Sequence, residues 1–162
     1  MKYRIRKTVA AFLTGGLLAV AGVSVLHNAR AGDQPPDKSK TMGLVIDEHA
    51  LEQLVAYVKE RGWSSPFVVM DANTEEAAGS GVAGELSRAN LRVTTFCFPE
   101  RSGLLADETS VSRLHEALKD SGTDSIVAVG SGVITDTTRY VASLMGREFV
   151  SVPTAASMDG YA

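Results

Sequence analysis

Three short stretches place carboxylates, hydroxyls and glycines where they could handle a polar ligand. The first is Asp71-Ala72-Asn73-Thr74, directly after the apolar run Phe67–Met70. A carboxylate there can accept hydrogen bonds from a ribose diol, and Asp71 or Asn73 is equally suited to capping the next helix. The second is Gly130-Ser131-Gly132-Val133-Ile134-Thr135-Asp136, joining the apolar run SIVAV to a helical pattern. Its glycines let the backbone approach a pyrophosphate, and a helix N-terminus offers free N–H groups and a positive dipole end. Asp136, expected in the first turn, can cap or accept from ligand hydroxyls. The stretch is neither G-x-G-x-x-G nor a P-loop, since no Gly-Lys-Ser/Thr follows, and a tight structural turn explains it equally well. The third runs from Val152 to Ala162 (VPTAASMDGYA). Its small and hydroxyl residues suit close contact with a ligand, and Asp159 beside Gly160 is a carboxylate on a flexible turn.

Other reactive side chains are sparse. The lone cysteine, Cys97, excludes an intrachain disulfide and a Cys-based zinc site. It lies in an apolar run and reads as a small core residue, not a nucleophile. His27 belongs to the N-terminal leader. His49 and His115 fall on predicted helices outside the three loops and read as surface or packing residues. No catalytic or metal-ligating residue is assigned within the chain. Residues 1–31 carry five bases and no acid, leaving 11 bases against 19 acids in the remainder. An acidic body with only 6% aromatic residues argues against a nucleic-acid partner.

The elements that must position these loops alternate between strand and helix. Leu44–Ile46 predicts a strand, then a helix capped by Asp47 and running to about Arg61, with Gly62 as its stop. Phe67–Met70 reads as a strand covered on both faces. A weaker, glycine-interrupted helix is expected from Thr74 to about Ala89, then a strand from Leu91 to Phe98. A helix from Thr109 through Lys119, the strand Ser125–Val129, a helix from Ile134 to Met145 and the strand Phe149–Val152 complete the pattern. This alternation predicts an α/β fold with a parallel sheet and flanking helices, one domain spanning residues 43–162.

The N-terminus has a different character. A basic segment (Lys2–Lys7) precedes an uncharged apolar stretch from Thr8 to Leu26, and Ala29-Arg30-Ala31 has the small-x-small form of a cleavage site. Residues 1–31 read as a cleaved signal peptide or as a membrane anchor in contact with lipid through residues 8–26. A third reading starts the protein at Met42. Residues 32–42, polar and with two prolines, read as a linker. A used leader implies an exported or membrane-anchored protein, an unused one a cytoplasmic protein.

Together the loops carry a resemblance. The run IVAVGSGVITDTTRYVASLMGREFVSVPTAASMDGYA, extended back through FVVMDANTEEAAG to about Leu44, resembles the NAD(P)-dependent glycerol-1-phosphate dehydrogenases. These are a branch of the metal-dependent polyol dehydrogenase and dehydroquinate synthase superfamily. The resemblance implies a Rossmann-like domain that binds NAD or NADP, and reduction of dihydroxyacetone phosphate, a phosphorylated triose, to sn-glycerol 1-phosphate. It implies a pyrophosphate contact at Gly132, Val133, Ile134, Thr135 and Asp136, and a second cofactor segment at Thr154, Ala155, Ala156 and Ser157. It further implies a substrate contact at Asp159 and an adenosine-ribose contact at Asp71. Ser131 and Arg139 stand where many superfamily members have glycine and lysine, which favours this branch over glycerol dehydrogenase. The family also implies a homodimer and a C-terminal helical domain that binds zinc or nickel. That domain and its ligands have no counterpart in this chain, so the fragment alone is expected to be inactive. The alternative expectation is a non-catalytic exported or tethered α/β domain.

Overall fold

Continuous apolar runs separated by amphipathic helices fold here into a sheet covered on both sides. The computed structural model describes residues 22–27, 40–46 and 49–154, the first two segments by their backbone alone. The strands are β1 (Gly22–His27), β2 (Lys40–Ile46), β3 (Pro66–Asp71), β4 (Thr94–Phe98), β5 (Ser125–Gly130) and β6 (Phe149–Pro153). They form one sheet in the order β2-β1-β6-β5-β3-β4. The four strands from β3 to β6 run parallel, as the alternating pattern requires. β1 adds to the β6 edge in antiparallel fashion and pairs with β2, also antiparallel.

That edge differs from the sequence expectation, which left Gly22–His27 in a leader and began the domain at 43. The segment GVSVLH alternates in side-chain character at period two, which suits a strand as well as the tail of an apolar leader. Ser24 pairs with Ser151 and Leu26 with Phe149. No helix among the described residues is long and apolar enough to cross a membrane. The rest of the leader, residues 1–21 and 28–31, lies outside the described residues.

The helices are α1 (Ala50–Glu60), α2 (Ala72–Thr74), α3 (Ser80–Arg88), α4 (Glu108–Lys119) and α5 (Gly132–Leu144). Side chains alternate across each central strand and so split each apolar run between two cores. Val68, Met70, Val127 and Val129 meet Leu54 and Val58 of α1 and Val82 and Leu86 of α3. Phe67, Val69, Ile126 and Ala128 meet Leu114 and Leu118 of α4 and Ile134 and Val141 of α5. This division explains why β3 and β5 lack polar alternation: both faces are covered.

Several boundaries move for local reasons. The N-cap of α1 is His49, whose side chain does not cap the helix, and Asp47 lies outside the described residues. Gly62 ends that helix with φ +72°, a left-handed conformation that glycine adopts without penalty. The helix expected from Thr74 to Ala89 is not uniform: a π-helical segment, Glu75–Gly79, separates α2 from α3. A Cβ on Gly79 would lie 2.5 Å from Met70 Sδ, so with any larger residue the Met70 side chain would have to shift for the helix to rest on β3 at that point. β4 starts at Thr94, not Leu91.

The chain runs from β3 outward to β4, then returns across β3 to β5 and on to β6. The order therefore reverses between β3 and β5. In open α/β sheets that switch point, beyond the carboxyl ends of the strands, is where ligands bind.

Candidate functional site

The first two sequence-predicted loops flank this switch point, and the third begins beside the second. β3 ends in Asp71 and β5, its hydrogen-bonded neighbour, ends in Gly130. β6 ends beside β5, with Pro153 paired to Gly130. The amide of Thr154 donates to Gly130 O at 3.3 Å, tying the start of the third loop to the second. Ala155, Ala156, Ser157 and Asp159 lie outside the described residues.

Asp71 performs the capping role open to it. Its Oδ1 accepts from the amides of Asn73 (2.9 Å) and Thr74 (2.8 Å), while its own amide donates to Thr74 Oγ1 (2.9 Å). This reciprocal box fixes the turn after β3. Both capping bonds fall on Oδ1.

The second loop is different in kind. Ser131 is the extended N-cap residue of α5 and makes no side-chain cap. The first intrahelical bond is Thr135 N–H to Ser131 O at 3.0 Å. The amides of Gly132, Val133 and Ile134 therefore precede the helical ladder, at the positive end of a helix of 13 residues. Three amides and a dipole end at the switch point make a receptor for an anion.

Neither glycine of this loop has a left-handed φ. Gly130 is required for another reason. A Cβ there would meet Ile134 Cβ at 2.7 Å and its Cγ1 at 2.8 Å. Absence of a side chain at Gly130 lets the start of α5 seat against the end of β5.

The remaining predicted residues of this helix divide by direction. Ile134 is fully buried among core side chains, so its amide is what it can offer a ligand. Thr135 is turned inward, its amide used in the helix and its hydroxyl 3.2 Å from Ser151 Oγ. Asp136 is exposed and lies beyond the first turn, because α5 begins at Gly132 and not at Ile134 as expected. It neither caps the helix nor stands at its tip. It pairs with Arg139 Nη1 at 3.5 Å and lines the open groove between α4 and α5.

One cluster beside the site was missed. Asn73 Nδ2 donates to Arg101 O at 2.7 Å, and the Arg101 guanidinium pairs with Glu76. The signal was available: Pro99-Glu100-Arg101-Ser102-Gly103 follows β4 as the other loops follow their strands. Its partner Glu76 lies on the π-helical segment after β3, which a local pattern does not connect to it. Cys97 is half-buried at the β4 edge, where desolvation first, and then the carboxylate of Glu75 at 3.6 Å, raise its pKa to about 11. It is a protonated packing residue at neutral pH. His49 and His115 stand away from the loops, beside Glu52 and Glu116. Among the described residues no three His, Cys, Asp or Glu side chains gather into a metal site.

The geometry so far defines an α/β domain with an anion-receptive helix end at its switch point. A family model described as iron-containing alcohol dehydrogenase matches residues 45–162, and the chain belongs to that family. Among curated relatives, the glycerol-1-phosphate dehydrogenase (NAD(P)+) of Bacillus velezensis is 37% identical over 120 residues, covering 73% of this chain and 30% of its own. The Bacillus subtilis enzyme of the same name is 33% identical over 124 residues, covering 75% and 31%. This chain thus spans about a third of the length of these relatives. The crystal structure of glycerol dehydrogenase from Schizosaccharomyces pombe superposes with TM-score 0.52 at 28% identity, over 61% of this chain and 24% of that one. Maleylacetate reductase from Agrobacterium tumefaciens, at 18% identity and TM-score 0.56 over 68% of this chain and 30% of that one, shares the fold.

Proposed function

We propose that this chain is the dinucleotide-binding part of a glycerol-1-phosphate dehydrogenase. The whole protein would transfer hydride reversibly between NAD(P)H and dihydroxyacetone phosphate, giving sn-glycerol 1-phosphate. The observation that carries this reading is the uncapped N-terminus of α5 at the sheet's switch point. There the amides of Gly132, Val133 and Ile134 take the pyrophosphate, and the dipole end of α5 favours its charge. Asp71 Oδ2, which carries neither capping bond, takes the adenosine-ribose diol. The Thr154 to Gly130 bond ties the start of the third loop to the second; Ala155, Ala156 and Ser157 are assigned to the cofactor and Asp159 to the substrate on the resemblance.

The identity to glycerol-1-phosphate dehydrogenases over about 120 residues supports this substrate. Ser131 and Arg139 weigh the same way. Glycerol dehydrogenase is the second reading, favoured by the likeness to the S. pombe structure. The zinc or nickel expected of the whole enzyme finds no fitting ligand set among the described residues, so no step above is routed through a metal. The whole enzyme is proposed to be a homodimer.

Titration calorimetry with NAD on the wild-type chain and on Gly132→Val, beside a thermal melt, tests the site. Wild type binds, and Gly132→Val stays folded but loses binding, because its side chain enters the space of the phosphate. Unchanged affinity in folded Gly132→Val protein would show that the cofactor lies elsewhere.

A further inference from the structure

We propose that Glu76 and Arg101 form a charge gate beside the adenosine ribose that admits NAD and turns away the 2′-phosphate of NADP. The inference rests on the cofactor placement above and deepens it. A continuous chain of contacts links the gate to the ribose position. The Asn73 amide donates to Asp71 Oδ1 at 2.9 Å, and the Asn73 side chain donates to Arg101 O at 2.7 Å. Arg101 is thereby pinned to the turn whose carboxylate would face the ribose diol. Arg101 lies on the loop after β4, tied to this turn through its backbone carbonyl, and its guanidinium is suited to a phosphate, because a planar cation with paired N–H donors matches phosphate oxygens.

That guanidinium is already engaged. Glu76 pairs with it, and each partner moves the other's proton affinity in the direction an ion pair demands, Glu76 below and Arg101 above its ordinary value. The charge named around this strand end is acidic: among the described residues Asp71, Glu75 and Glu76 stand with Arg101. Both Glu75 and Asp71 are felt at Cys97, on the neighbouring strand end, where each disfavours the thiolate. A 2′-phosphate brings close to two further negative charges at neutral pH. It would meet net repulsion and a cation already paired with Glu76. The 2′-hydroxyl of NAD meets neither obstacle and can donate to Asp71. Glu76 and Arg101 are both largely exposed, at 65% and 61%, so the pair is held weakly and its removal leaves the fold intact.

The test is titration of the wild-type chain with NAD and with NADP, repeated on Glu76→Gln and on Glu76→Gln/Arg101→Ala. Wild type is expected to bind NAD about tenfold or more tightly than NADP, a typical penalty for a like-charge contact. Glu76→Gln frees Arg101, strengthens NADP binding severalfold and leaves NAD unchanged. Adding Arg101→Ala abolishes that gain, and raising the salt concentration shrinks it. Equal wild-type affinities, an NADP affinity indifferent to Glu76→Gln, or a gain that survives loss of Arg101 would each overturn the gate while NAD binding upheld the site. If neither nucleotide binds wild type, the cofactor placement fails, and the gate with it.

Discussion

Gly130→Ala isolates the packing role of the second loop from its role toward a ligand. The added Cβ would lie 2.7 Å from Ile134 Cβ, 2.8 Å from Cγ1 and 3.1 Å from Cγ2. Carbon atoms in good contact stand about 3.5–4.0 Å apart, so the approach is short by close to 1 Å. Rotating Ile134 moves Cγ1 and Cγ2 but not Cβ, which is fixed to the helix backbone. The start of α5 must therefore lift from β5, straining the Thr135–Ser151 hydroxyl contact and the burial of Ile134. Overpacking of this kind costs about 1–3 kcal/mol, and the upper half of that range is expected where a helix end must move. For a domain of this size that is roughly 5–10 °C in Tm, read by a thermal melt with urea unfolding as the check. A double-mutant cycle with Ile134→Ala sharpens the test. That change removes the Cγ contacts and leaves the Cβ clash, so the pair should couple favourably yet incompletely. A Gly130→Ala protein within about 0.5 kcal/mol of wild type, or strict additivity with Ile134→Ala, would refute the packing argument.

Two further outcomes follow from buried or bonded polar groups. Thr138 is fully buried and its hydroxyl has no hydrogen-bond partner among the described residues, so Thr138→Val should stabilise by about 1 kcal/mol in urea unfolding; a loss of stability would show that the hydroxyl is used. Asp124 accepts from the amides of Ser64 (2.6 Å) and Ser65 (3.0 Å) and from the hydroxyls of Ser64 and Ser125. Desolvation pushes its pKa up, these donors outweigh it, and the net shift is downward. A lowered folded pKa means stability present above the ordinary aspartate value and lost as pH falls through the folded one. Tm of Asp124→Asn should therefore fall less steeply than that of wild type between about pH 6 and about pH 3, and parallel curves would contradict the assignment.

The alternating plan was legible because β3 and β5 are apolar throughout and each is followed by turn residues and an amphipathic helix. The register of those runs also decided which side chains share a core, since period two leaves no freedom once both faces are covered. β1 was not legible: GVSVLH sits at the end of an apolar stretch after a basic segment, and local pattern favours a leader where long-range pairing with β6 makes a strand. The π-helical segment was foreshadowed only by glycines, one of which, Gly79, packs against Met70 of β3, a contact the local pattern does not contain. At the site, the glycine loop after β5 was legible as the lead into a helix at a strand's carboxyl end, but the helix starts at Gly132, two residues before the expected Ile134. Thr135 and Asp136 were grouped with Gly132 through Ile134 by adjacency, but a helix turns about 100° per residue, which sends one inward and the other to a groove. Arg101 and Glu76 escaped because they meet through space, one from the loop after β4 and the other from the π-helical segment after β3.

The measurement that bears most directly on the central claim is an amide-resolved NMR titration of the chain with NAD. The account predicts that the backbone N–H resonances of Gly132, Val133 and Ile134 move most, that Asp71 and Asn73 respond with them, and that Thr135, already bonded to Ser131 O, moves less. Saturating shifts confined to other loops, or no shift of those three amides at any NAD concentration, would contradict a pyrophosphate at the start of α5.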